Sequence, residues 1–428
     1  MLMRYKAVRK FTRRLCRPLA LEDYVVQSMA DVSPTKWHLA HTSWFYERFI
    51  LQEFVPGYEP VNEAYYFLFN SYYNGAGPQH CRPSRGLISR PTVEQVYDYR
   101  RSINRRMGEL LLNADDATLD QIAPRLTLGL HHEQQHQELL LTDIKHVFSS
   151  SPLLPAYHAF DDEPAGNGPG DVDEPGWVGF DAGVYEVGVP ADDESFHFDN
   201  ETPRHKRYVA AFELADRPVT NGDYLAFIED GGYRRAELWL SLGWSTLQAD
   251  DWQMPLYWFR DGAQGGAWMQ FTLAGAKPLV LDEPVCHVSY FEADAYARWA
   301  GARLPDEAEW ELACRDQPMQ GNFADSAAGV GRIHPLPLSV AIDGEVGRVR
   351  RCFGDVWEWT RSSYSAYPGY RPWPGTLGEY NGKFMCNQYV LRGGSCGSSQ
   401  SHVRATYRNF FAPEARWQFT GLRLARDA

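Results

Sequence analysis

The chain has 428 residues, 44% of them apolar, and a formal net charge of −13. That length exceeds one comfortable core, so two or more domains are expected, and the acidic balance excludes a duplex nucleic-acid binder and disfavours an anionic membrane surface. No run of eighteen apolar residues is present, and seven cysteines without a C-x-x-C pair point to reduced thiols and a cytoplasmic protein with no thiolate zinc site.

The basic start, MLMRYKAVRKFTRRLCRPLALEDYVV, has no apolar core before a small-residue cleavage site and does not read as a secretory signal. ALEDYVVQSMADVSPTKWHLAHTSWFYERFILQEF carries apolar and aromatic residues at helical spacing, with Ser33-Pro34 as a helix start. Splitting that segment near Asp31 gives two helices. TVEQVYDYRRSINRRMGELLLN and RLTLGLHHEQQHQELLLTDIKHVF give two more, so residues 1–155 are expected to form a four-helix bundle. Between these helices lies FNSYYNGAGPQHCRPSRGLISRP, a long loop too aromatic to be disordered and therefore a functional candidate. Residues 156–175, rich in Pro, Gly and Asp, read as a linker. From 176 to 428 short strand-like runs dominate, with helices expected at TNGDYLAFIED and SYFEADAYARWAG and no internal repeat. This half is expected to be an irregular α+β domain.

The histidines of LHHEQQHQELLLTDIKH carry the strongest chemical signal. Four residues turn a helix through about 400°, so His132 and His136 share a face and can share a metal. HEQQH matches the zinc-protease pattern literally, with Glu133 second, but nothing downstream supplies the usual third ligand. His131 points elsewhere and His146 is too far along the axis, so both are read as structural or solvated. A third ligand is sought on TKWHLAHTSWFYE, where His38 and His41 stand about one turn apart, with His80 a weaker candidate. Neutral imidazoles without a thiolate suit Fe(II), Zn(II) or Ni(II). Against a surface accident stand Leu128, Leu130, Leu139 and Leu140, which predict burial. Glu138 either orients an imidazole or pairs with a cation.

HHEQQHQE together with WHLAH resembles the DinB-like iron-binding bundle of the ergothioneine-synthase (sulfoxide synthase) family. RPVTNGDYLAFI, PVCHVSYFEADAYARWAGARLPDEAEWELACR, GDVWEWT, LRGGSC and GLRLAR resemble the formylglycine-generating-enzyme, or sulfatase-modifying-factor, domain. Their order in one chain is more specific than any single motif. The resemblance implies a multidomain α and α+β fold: a DinB-like four-helix bundle followed by a C-type-lectin-like domain. It implies non-haem Fe(II), O2, and a C–S bond between a thiol and the imidazole carbon of N-trimethylhistidine (hercynine).

Carried over by residue, the resemblance nominates His41, His132 and His136 as iron ligands, leaving His38 a neighbour. Gln135 would contact the substrate imidazole, and Tyr72 and Tyr73 match a catalytic tyrosine pair. Arg82 and Arg85 would take a substrate carboxylate. Asn409, Phe410 and Phe411 would meet the trimethylammonium group. Phe410-Phe411 replaces a Trp-Asp of the γ-glutamylcysteine-using branch, which implies free cysteine as donor. The competing readings are core packing for the tyrosine pair and a solvated turn for RPSRG. Ser398 and Val403 occupy the places of the copper-binding cysteines of formylglycine-generating enzymes, with Cys396 out of register. The second domain is therefore expected to supply substrate-binding loops, and the aromatics of GDVWEWT are expected in its core. Two alternatives share the motifs: C–Se bond formation from a selenosugar, in which Cys81 lies in the relevant loop, and a non-catalytic, metal-stabilised binding module. The expected partners are hercynine, a thiol or selenol donor and O2, with no nucleic acid and no membrane; the sequence sets no oligomeric state.

Overall fold

Capping residues start the long helices of the N-terminal bundle. The structure is a computed structural model that describes residues 1–158, 174–190, 192–262, 265–326 and 332–428, so most of the expected linker lies outside the described residues. The bundle helices are α1 (Leu2–Leu15), α2 (Thr35–Tyr46), α3 (Val93–Asn113) and α4 (Asp116–Ser149). Thr92 and Gln95 form a reciprocal capping box at the start of α3, and the Asp115 side chain accepts the Thr118 N–H at the start of α4.

One expected helix is corrected. Residues 20–31 hold only a 3₁₀ turn, Leu21–Val25, and the fourth bundle helix is Leu2–Leu15. The arginines and lysines of that basic start cover an amphipathic helix: Tyr5, Val8, Arg9, Thr12 and Leu15 fall on one buried face.

Every residue of α2 is buried, and α2 packs against α3 and α4 while α1 packs against α4. The one charge at its start, Lys36, turns its ammonium to the carbonyls of Ile88 and Pro91. A single buried acid ties the four helices together. Glu133 of α4 accepts from Arg9 (3.1 Å) and Thr12 (2.6 Å) of α1 and from Arg100 (2.5 Å) of α3, while Arg9 also donates to Ser43 of α2 at 2.9 Å.

The first compact unit comprises Met1–Tyr157 and, from far along the chain, Trp373–Tyr380. The second comprises His158–Pro372 and Asn381–Ala428. Among the described residues it carries short strands in several small sheets. One has the order β1-β4-β12 (Trp177–Phe180, Phe212–Ala215, Ala425–Asp427), and another β10-β9-β8-β11 (Asn409–Phe411, Tyr389–Arg392, Trp357–Ser363, Thr420–Gly421). In the second sheet β11 runs parallel to β8, while β8, β9 and β10 are antiparallel. A hairpin, β2-β3 (Gly183–Val187, His205–Val209), and a meander, β5-β6-β7 (Trp258–Arg260, Trp268–Thr272, Gly275–Pro278), complete them. Both expected helices form, as Asn221–Glu229 and Tyr290–Trp299, capped by Thr220 and Ser289. The GDVWEWT aromatics are core, as expected: Trp357 and Trp359 are buried, and the Trp359 indole N–H reaches the Val288 carbonyl at 2.9 Å. Glu358 between them receives Arg423 of GLRLAR at 2.8 Å and the Trp310 indole at 2.7 Å.

Candidate metal centre

His132 and His136 lie one turn apart on α4, and α2 brings His41 against them. Their rings form a triangle with centroids 4.6 to 4.8 Å apart. One nitrogen from each lies within 4.8 Å of the other two, the one such group among the described residues. His41 is clamped between Trp37 (4.6 Å, 13°) and Trp44 (5.4 Å, 15°), its own neighbours on successive turns of α2. His132 stacks on Phe45 at 4.6 Å.

The donor set fits a divalent cation. The Nδ1 of His41 lies 2.5 Å from the carbonyl of Phe69, which caps the short helix Ala64–Leu68. A carbonyl only accepts, so Nδ1 carries the proton and Nε2 a lone pair. That lone pair faces Nε2 of His132 at 3.0 Å. Two nitrogens bound at about 2.1 Å and at right angles stand about 3 Å apart, as this pair does. Burial, with mutual repulsion for His41 and His136, drives the ring pKa values of both well below the usual histidine range; burial takes His132 down to about 3. All three are therefore neutral at physiological pH, the form that binds a metal.

Glu133, the acid of the zinc-protease pattern, takes no part in this triangle. Its carboxylate is spent on Arg9, Arg100 and Thr12. Burial opposes its charge, but Arg100 and Arg9 prevail and hold its carboxyl down to about 2. His131 meets Arg4 at 3.1 Å and His146 meets Ser28 at 2.6 Å, both structural placements.

The aromatic loop packs beside the histidines. Tyr73 is buried against Trp44, Phe45 and Phe49, and Tyr72 stacks on it at 4.6 Å with the two hydroxyls 3.5 Å apart. Burial raises both phenols above the usual range, so both keep their protons at neutral pH. Arg85 is buried with its guanidinium 3.4 Å over the Trp37 ring, and it donates to Ser33 (2.9 Å) and Ser71 (3.2 Å). Among the described residues it makes no ion pair, and burial lowers its pKa to about 9. Arg82 is exposed and holds the Asp31 carbonyl at 2.6 Å. The two arginines thus take different partners instead of sharing one.

Sequence reasoning missed Tyr380. It is one of 24 tyrosines, sits in no motif, and lies more than two hundred residues from the bundle. Within the first unit its ring stands 5.9 Å from His132 and 6.5 Å from Tyr73, and its hydroxyl donates to the side-chain carbonyl of Gln135. Gln135 and His136 are only partly buried, so the triangle opens on that side. Asn409, Phe410 and Phe411 belong to the second unit, in β10. Phe410 stacks on Tyr364 at 4.0 Å, Phe411 meets Trp417 edge-on at 6.0 Å, and all three are half-buried.

Comparison with known proteins finds two families in succession along the chain. Residues 4–140 match the DinB superfamily, and residues 167–335 and 345–428 match the sulfatase-modifying factor enzyme 1-like domain. A hercynine oxygenase of Mycolicibacterium thermoresistibile is 33% identical, covering 97% of this chain and 92% of its own. Those of Mycobacterium tuberculosis and Mycolicibacterium smegmatis are 32% and 30% identical, each covering 92% of this chain and 91% of its own.

Proposed function

The chain belongs to the hercynine oxygenase family, and from that membership and the three-histidine centre we propose that it is an iron(II)- and O2-dependent sulfoxide synthase. It joins the sulfur of cysteine to the imidazole carbon of hercynine. The observation that carries the reading is the convergence of three neutral imidazoles with no carboxylate or thiolate among them. His41, His132 and His136 would hold the metal, leaving up to three positions open for reactants. Ferrous iron bound there supplies the one-electron chemistry that O2 requires.

The remaining roles fall to the chain itself. Tyr72 and Tyr73 keep their hydroxyl protons, and the phenol of Tyr73 is the donor to reduced oxygen. Gln135, on the open side, orients the substrate imidazole. Arg85, a buried cation whose side-chain hydrogen bonds among the described residues go to serine hydroxyls, suits a substrate carboxylate, with Arg82 near the rim. Phe410 and Phe411 offer aromatic faces to a quaternary ammonium and Asn409 a polar contact. The same two phenylalanines offer no charge to a γ-glutamyl extension, which favours free cysteine.

The test is anaerobic loading with Fe(II), then O2 with hercynine and cysteine. The expected result is O2 uptake and a hercynyl cysteine sulfoxide by mass spectrometry. Parallel reactions use γ-glutamylcysteine or a selenosugar, and product from only one of those would replace the donor named here. No O2 uptake with any donor would make the chain a binding module. His136→Ala is expected to lose the iron, and stoichiometric iron in that variant would remove the residue from the ligand set.

A further inference from the structure

His136 is held by more than its place on α4. Its Nδ1 lies 2.9 Å from Nδ1 of His38, and the Nε2 of His38 lies 3.0 Å from Oδ2 of Asp143. The same carboxylate oxygen accepts the backbone N–H of Ser33 at 2.8 Å. His38 and Asp143 are 3% and 4% exposed, so water does not compete for these bonds. Asp143 follows His136 by seven residues, two turns along the same face of α4. The ring of His38, from α2, bridges the two.

The proton positions along this row follow from elementary bookkeeping. A carboxylate only accepts, so Nε2 of His38 carries the proton and donates to Asp143. With His38 a neutral imidazole, which has one N–H, its Nδ1 is an acceptor. The facing Nδ1 of His136 must then be the donor. That leaves Nε2 of His136 with its lone pair, the nitrogen a metal would take. His41 reaches the same tautomer through the Phe69 carbonyl. His132 has no such support among the described residues: its Nδ1 is buried without a hydrogen-bond partner, and stacking on Phe45 holds the ring.

We infer that His38 and Asp143 are positioning residues for the metal centre, acting through His136. The inference rests on the three-histidine reading above. The pair fixes the tautomer and ring orientation of His136, and it places a carboxylate one imidazole away, where the hydrogen bond raises the basicity of the ligand without bringing the acid to the metal. One of the three ligands is thereby more electron-rich than the others. The relay also explains why α2 carries a second histidine one turn before His41, and why a buried aspartate that makes no ion pair with lysine or arginine among the described residues is tolerated inside a bundle.

The test uses the full-length protein labelled with 15N-histidine, metal-free and loaded with Zn(II). Long-range 1H–15N correlation is expected to show His136 protonated on Nδ1 and His38 protonated on Nε2 in both states. Co(II) titration supplies the second reading. His38→Leu is expected to weaken Co(II) binding about 10- to 100-fold. His38→Gln, whose amide can accept from His136 and donate to Asp143, is expected to recover affinity to within roughly threefold of wild type. A proton on Nε2 of His136 in the metal-free protein would overturn the relay. So would Co(II) binding by His38→Leu equal to wild type, or a folded His38→Gln no better than His38→Leu. Failure of the wild-type protein to bind either metal would instead strike the three-histidine reading, and the proton positions in the metal-free chain would still decide the relay.

Discussion

The carboxylate of Glu379 accepts the backbone N–H of Gly75 at 2.7 Å and that of Asn74 at 3.0 Å. One side chain of the distant segment Trp373–Tyr380 thus grips the turn that follows Tyr72 and Tyr73, while its neighbour Tyr380 reaches Gln135.

Glu379→Gln keeps the shape and gives up the charge, leaving one acceptor for two donors. The expected result is local loosening of about 1 kcal/mol, or about fivefold faster amide exchange across 73–76 by hydrogen–deuterium exchange, with the rest of the bundle unchanged. Equal exchange in the two proteins would mean that the turn holds itself.

Glu133 ties stability to pH. Its folded pKa is lowered from 4.5 to about 2. A depressed carboxylate contributes its stability fully above the unfolded value, and loses it as pH falls toward the folded one. Glu133→Gln leaves Arg9 and Arg100 buried without their acid, a loss of about 3 to 5 kcal/mol at pH 7. In denaturant titrations the gap between wild type and variant should narrow steadily from about pH 4.5 to about pH 2. A gap independent of pH would show that the carboxylate's charge is not what the arginines hold.

Gly129 sets how closely α4 approaches α2. A Cβ there would stand 2.7 Å from the Tyr46 ring and 3.0 Å from that of Phe45. In an isolated helix Gly→Ala gains up to about 1 kcal/mol. Here the overlap with two buried rings should outweigh that gain, giving a net loss of about 1 to 3 kcal/mol. Because Phe45 stacks on His132, Co(II) affinity should fall as well, which a titration would show. A Gly129→Ala protein that is more stable than wild type would mean that the rings yield freely.

Tyr73→Phe removes one hydroxyl from a buried stack and leaves the ring contacts in place. The expected outcome is a shift from C–S coupling toward plain thiol oxidation, read as the ratio of sulfoxide to oxidised cysteine. Unchanged ratios would turn attention to Tyr72 and Tyr380, the two phenols whose rings lie nearest to it.

The local features were legible in the sequence because they are set by short-range geometry. The spacing of His132 and His136 and the two short helices of the second unit all follow from residues within one or two turns of each other. What tertiary structure decided is which faces meet. His38 and His41 lie within a turn on one helix, and only the rotation of α2 against α4 points His41 into the triangle and gives His38 to Asp143. The helix Leu2–Leu15 was hidden by its basic outer face, since its buried stripe acquires meaning only beside α4. Tyr380 and Glu379 had no local signal at all: their part depends on a chain segment returning across more than two hundred residues, and such packing is fixed by the total burial of the folded chain, not by any pattern in a window.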